Sequence, residues 1–355
     1  MACGGSQQSM ITRRLASNIK ISPTNKLMKN TTIITMAALL LGSSGLFAVE
    51  SAYTDPSGFT TVTIEPSSLN AFSVALRDSE SYAEESTSIT ASTLVQSGAS
   101  WTTDQWTTEP HLAYITNENG AEEAFLITSH TADTLTLSST FDLTSRYGDG
   151  ADANARRFMI VKAQTFGSLF GTSSVELQTG SVSTADLIYI WDDGGWVTYY
   201  HNSTNWKKSG SFANANDDVI FPDEGMFMLR RGVGDLAFVF TGSVPTKPQV
   251  STIPGGELTM LGSRYPVGTT VTKLGLQNLQ GWQNGTGSSG DRFFLWSGGT
   301  WVTYYYNGTN WKRSGSFSNV DDEAIPENAM IFVLRESASA PADAENVHEI
   351  PYTLD

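Results

Sequence analysis

The side chains best suited to meet another molecule lie in two near-identical stretches. Residues 191–214 read WDDGGWVTYYHNSTNWKKSGSFAN, and residues 296–319 read WSGGTWVTYYYNGTNWKRSGSFSN, identical at 17 of 24 aligned positions. Alternating aromatic, β-branched and polar residues predict a hairpin in each, turning at Asn307-Gly308 in the second copy, since both residues accept positive φ. Strand alternation then sets Trp301, Thr303, Tyr305, Asn310, Lys312 and Ser314 on one face. Val302, Tyr304, Tyr306, Thr309, Trp311 and Arg313 take the other. In the first copy the former face is Trp196, Thr198, Tyr200, Asn205, Lys207 and Ser209, the same residue type at every position. Trp196, Tyr200, Trp301 and Tyr305 offer flat rings for stacking on sugars, with Asn205, Lys207, Asn310 and Lys312 beside them to bond hydroxyls. The competing expectation, which we rank first, is that both faces are packed, because repeated aromatics usually belong to a core.

Other chemistry is harder to place. The acidic positions in loop 149–154, at Asp217-Asp218 and at Asp321-Asp322-Glu323 supply oxygens for Ca²⁺, yet none has the spacing of a calcium loop, so no cofactor is expected. Gly285, Gly287 and Gly290 match a dinucleotide fingerprint in letters only, since the loop precedes a strand rather than opening a helix. His111, His130, His201 and His348 are not at ligand spacing, and Tyr306 stands where the first copy has His201. No nucleophile elbow, zinc-protease motif or P-loop occurs, and no glycosidase carboxylate pair can be singled out. The chain therefore reads as no enzyme. Asn202, Asn284 and Asn307 sit in glycosylation-type triplets that turn chemistry explains better.

The elements that must hold these residues are strands. Gly, Ser, Thr and Asn punctuate short β-branched and aromatic runs, and no helical period is sustained. The expected fold is all-β: two related β-sandwich or barrel-like halves, each with the Trp-rich meander, plus a small barrel-like N-terminal region inserted in the first half. Strands are expected at 59–64, 72–77, 111–116, 124–128, 134–137, 158–161, 226–230, 292–296, 300–306 and 330–334. Similarity between the copies extends through Asp217-Asp218, Pro222, Met226 and Arg231, matched to Asp321-Asp322, Pro326, Met330 and Arg335. The domain reading is an upstream extension at 1–27, a signal peptide at 28–48 and an N-terminal β domain at 49–165, with 83–165 as the insert. Module copies follow at 166–243 and 257–337, joined by a linker at 244–256 and ended by an acidic tail at 338–355.

Met28-Lys29-Asn30, the apolar run 33–41 and the small residues to Ala48 have the order of a secretory signal, too short to span a bilayer. Its removal would leave 16 basic and 36 acidic residues, a surface that repels nucleic acid and anionic lipid. The single cysteine, Cys3, precedes the signal, so the mature chain would carry no disulfide and no thiolate site. No later run is long enough for a membrane helix.

With the signal, the Asp55-Pro56-Ser57-Gly58-Phe59 opening and the repeated Trp-rich meander, most of residues 50–337 resembles a family of exported β-rich proteins that occur as multiple paralogues in verrucomicrobial bacteria. That resemblance implies export across a Gram-negative-type envelope, to periplasm, surface or medium, and supplies no catalytic residue. The expected role is a non-catalytic surface or envelope protein with an interaction or structural task. The alternative is a carbohydrate-binding module that engages polysaccharide or cell-surface components through the repeated aromatic face. A secreted polysaccharide-degrading enzyme comes third.

Overall fold

The computed structural model describes residues 56–148, 156–172, 176–211, 213–336 and 344–353. The expected signal and extension, Cys3 and the acidic loop 149–154 lie outside these residues. What is described is all-β, built of antiparallel sheets with two helices of 4 and 5 residues. Among the described residues no helix is long and apolar enough to cross a membrane.

The first half begins with β1 (Ser57–Ile64) and β2 (Leu69–Ser73). The chain then leaves it for β3 (Glu80–Glu85), β4 (Ser88–Ile89), β5 (Thr93–Val95), β6 (His111–Thr116), β7 (Glu122–His130), β8 (Thr134–Leu137), helix α1 (Thr144–Tyr147) and β9 (Arg157–Lys162). It returns through α2 (Phe166–Phe170), β10 (Leu187–Asp192), β11 (Gly195–His201), β12 (Trp206–Lys208), β13 (Gly225–Leu229) and β14 (Leu236–Ser243). Because β2 pairs with β13 and β1 with β14, strands β3–β9 form an insertion within one continuous unit. In the insert the order is β3-β9-β6-β7-β8-β5-β4. Only Ser86 and Thr87 join β3 to β4, at opposite ends of that order, so the sheet curls around Trp101, Trp106, Phe125, Leu135 and Phe158 without closing by hydrogen bonds.

The second half repeats the first. It contains β15 (Gln249–Ile253), β16 (Leu258–Gly262), β17 (Thr269–Thr270), β18 (Arg292–Ser297), β19 (Thr300–Tyr306), β20 (Trp311–Arg313), β21 (Ala324–Ile325), β22 (Met330–Leu334) and β23 (Ala344–His348). The five-stranded orders β12-β11-β10-β13-β2 and β20-β19-β18-β22-β16 correspond strand for strand. So do the pairs β1/β14 and β15/β23, with Ile64 paired to Leu236 and Ile253 to Ala344, although β15 also joins the insert's sheet through a parallel pairing of Gln249 with Glu122 on β7. The ribbon and a short helical segment cover one face of each five-stranded sheet, burying Phe72, Ile188, Tyr199 and Trp206 in one half and Phe293, Tyr304 and Trp311 in the other.

Several local expectations change. The stretch 244–256 is not a plain linker: it holds β15, the first strand of the second half, and its prolines flank that strand. Likewise 338–355 includes β23, whose Ala344, Asn346 and His348 are buried, so acidic composition there does not mean a free tail. The strand expected at 72–77 ends at Ser73 because the chain must leave for the insert. From β10 and β18 to the ends of β13 and β22 the copies stay 105 positions apart: Leu187↔Leu229 corresponds to Arg292↔Leu334, and Asn216 and Asp321 each accept from the backbone N–H of the tryptophan ten residues earlier, Trp206 or Trp311. Arg230, not Arg231, is therefore the counterpart of Arg335. Matching identical letters had introduced a one-residue gap that the strand registers do not contain.

Candidate functional site

The hairpins adopt the predicted faces through a different turn. Tyr200 opposes Lys207 and Tyr305 opposes Lys312. The connection spans four residues, closed by Asn202 N–H to Asn205 O at 3.0 Å and Asn307 N–H to Asn310 O at 3.1 Å. Each leading asparagine accepts, through Oδ1, the N–H groups two and three residues on. The next position takes positive φ, +84° at Ser203 and +93° at Gly308, which glycine accepts more readily. The two-residue turn is thereby replaced, and the register moves by two, which keeps the paired strand residues on their predicted faces, while Asn205, Thr309 and Asn310 fall in the connection instead.

The expectation that both faces are packed holds fully for one face and in part for the other. Trp206 and Trp311 are 1% and 0% exposed and fill the two sandwich cores. Trp196 and Trp301, on the other face, are 46% and 37% exposed. The two sheets meet by these faces across an approximate two-fold axis. Phe227 of the first copy packs on Trp296 and Trp301, with ring centres 5.2 and 5.8 Å apart. Phe332 of the second packs on Trp191 and Trp196, at 5.3 and 5.7 Å. Edge-to-face geometry dominates, as the ring quadrupoles favour. Backbone contacts repeat the reciprocity: Ser73 N–H donates to Asn328 O at 2.9 Å and Gly262 N–H to Asp223 O at 2.7 Å. At Gly225 the sheets approach so closely that a Cβ would stand 2.6 Å from the Cβ of Met330.

The joined faces leave an open apolar cleft of about 340 Å³ lined by Leu69, Tyr189, Trp196, Phe227, Trp296 and Trp301. The symmetry breaks there. The Trp191 indole donates to Leu258 O at 2.9 Å, whereas Trp296, Trp196 and Trp301 make no indole hydrogen bond to another described residue. These three indole N–H groups are therefore not engaged by other described residues.

The remaining sequence candidates sit apart from this cleft. Tyr200 and Tyr305 are half-buried along the hairpins. Asn205 accepts from Asn216, and Asn310 donates to Asp321 at 2.9 Å. Lys312 bonds Phe317 O and Asn319 Oδ1, and Lys207 is likewise engaged. Asn205, Asn310 and Lys312 thus stabilise their own hairpins. Leu69, Tyr189, Phe227 and Trp296 were not among the sequence candidates. The signal for Phe227 was available, as an aromatic one strand away on the repeated scaffold, but only the sheet order brings it to Trp301.

The acidic positions also have protein partners. Asp321 accepts from Trp311 N–H and Asn310. Glu323 accepts from the Tyr304 hydroxyl at 2.6 Å and pairs with Arg313. Burial, the Glu323 hydrogen bond and the Glu323 charge push the Tyr304 phenol up to about 12. No group of three metal-ligating side chains occurs among the described residues. The Gly285–Gly290 loop is a tight turn bridged between Thr286 and Ser289, ahead of β18. Comparison with protein-family models, with curated proteins and with solved structures returned no match to this chain.

Proposed function

We propose that the chain is an exported, non-catalytic surface or envelope protein whose aromatic cleft binds carbohydrate. One observation carries the binding reading: Trp196 and Trp301, from separate copies, remain exposed on a single cleft whose indole donors have no partner among the described residues. Large aromatic side chains normally lose most of their surface on folding, and retaining two side by side favours a stacking ligand. Sugar rings present flat C–H faces to such rings and hydroxyls to the adjacent N–H groups. The formal charge of −15 disfavours an anionic polymer, which leaves neutral polysaccharide as the class. Export is supported by the order of charge, apolar run and small residues at 28–48, and the non-catalytic reading by the lack of a recognisable reactive constellation in the sequence.

Native gels containing xylan, mixed-linkage β-glucan or mannan test this directly. The wild-type chain is expected to be retarded in at least one, and the Trp196→Ala/Trp301→Ala variant to run unretarded with an unchanged far-UV spectrum. A wild-type chain that runs freely in every gel, or a double variant equally retarded, overturns the proposal.

A further inference from the structure

A second cavity, of about 260 Å³, opens where the insert meets both halves. Its walls are unlike the aromatic cleft. Arg77, Glu123, Asp223 and Arg264 line it, together with Tyr114, several serines and threonines, Phe141 and Phe221. Two of the charges are already matched. Arg77 pairs with Glu122 at 2.9 Å, and Glu123 pairs with Arg146.

Arg264 and Asp223 are not matched. Arg264 is 5% exposed, its Nη1 donates to the neutral Asn346 Oδ1 at 3.0 Å, and its Nε is buried without an acceptor. Asp223 accepts from the Ser251 hydroxyl. Neither joins an ion pair among the described residues. A desolvated guanidinium stays charged and is costly to bury without a carboxylate against it. Burial pulls Arg264 down from its ordinary value, and the Asp223 charge is the first to oppose this, so each is within the other's field.

We propose that this cavity binds a free α-amino acid, its carboxylate on Arg264, its ammonium on Asp223 and its side chain against the phenylalanines. Opposite charges that line one cavity without an ion pair among the described residues call for a ligand that carries both signs, which a monocarboxylate, an amine or a neutral sugar does not. The site is separate from the aromatic cleft, shares no residue with it, and does not rest on the carbohydrate reading.

Isothermal titration of the full chain with L-alanine, L-leucine and L-phenylalanine tests it. At least one is expected to bind one-to-one. The analogues of leucine lacking one charge, 4-methylpentanoate and 3-methylbutylamine, are expected to bind at least about tenfold more weakly than leucine. Because Arg264 is buried and its loss could unfold the chain, the analogue series on the wild-type protein is the primary test. Asp223→Asn supplements it, with amino-acid binding weakened about tenfold and 4-methylpentanoate unaffected. Failure of all three amino acids to bind, an analogue as tight as its parent, or glucose binding as tightly as the best amino acid would overturn the proposal.

Discussion

Replacing Asp186 with alanine is expected to destabilise the chain by about 1 kcal/mol more than replacing its counterpart Asp291. Both carboxylates are buried and both satisfy the loop that precedes the first strand of the meander. Asp186 Oδ2 accepts from Gln178 N–H and Asp291 Oδ2 from Gln283 N–H, each at 2.9 Å. Arg231 N–H and Glu336 N–H supply a second equivalent pair, at 2.6 and 2.9 Å. These shared bonds cancel in the comparison. Among the described residues the remaining difference is a direct contact of Asp186 with Arg230 Nη1 at 2.9 Å. The corresponding Arg335 Nε lies 3.9 Å from Asp291, beyond hydrogen-bond range, and that guanidinium is held by Ile253 O and Gln280 O instead. This charge-assisted contact contributes at least about 1 kcal/mol. Urea unfolding followed by far-UV circular dichroism measures the difference as a shift in midpoint at constant slope. Equal losses for the two variants, or a larger loss for Asp291→Ala, would refute the view that the copies differ in how they neutralise a buried arginine.

Further consequences follow from the packing. Trp206→Ala removes a fully buried ring and is expected to cost about 3–5 kcal/mol, whereas Trp196→Ala, on the open cleft, should cost less than half as much; paired urea curves test the ranking. Gly262→Ala places a Cβ 2.6 Å from both Glu224 O and the Ser73 Cβ, at the contact between halves, so a loss of about 1–3 kcal/mol in chemical unfolding is expected, and a neutral outcome would contradict the close approach. Burial first, and then the Arg264 charge, hold the His348 imidazole down at about 3. The unfolded chain takes up that proton near pH ~6.5, so the stability held by neutral His348 is full above this pH and declines as pH falls toward 3, by at most about 1.4 kcal/mol per unit. His348→Phe should therefore gain relative to wild type between pH 7 and pH 5, read as urea midpoints at the two values; a constant gap would contradict it.

The duplication was legible because 17 of 24 letters repeat, and strand alternation gave the two faces of each hairpin correctly. What each face meets was not legible. Trp206 and Trp196 have the same composition around them, and only the ribbon β1/β14 decides that one is core and the other is surface. The turn was misread because Asn307-Gly308 satisfies the short-hairpin rule locally, while Asn202-Ser203 in the sister copy, carrying no glycine, already pointed to a loop closed by the asparagine side chain. Strands β15 and β23 escaped notice because proline and acidic neighbours mask short runs whose partners lie about a hundred residues away. The polar cavity was invisible for the same reason: Arg264, Asp223 and Tyr114 converge only after the insert closes on both halves.

Stoichiometry gives the most direct test that one cleft is assembled from both repeats. Titration of a neutral oligosaccharide retained by the wild-type chain should show a single site per chain, and Trp196→Ala and Trp301→Ala should each abolish it alone. Two sites per chain, or half of the binding surviving in each single variant, would mean that the repeats act as independent modules and that the shared aromatic surface is not the binding unit.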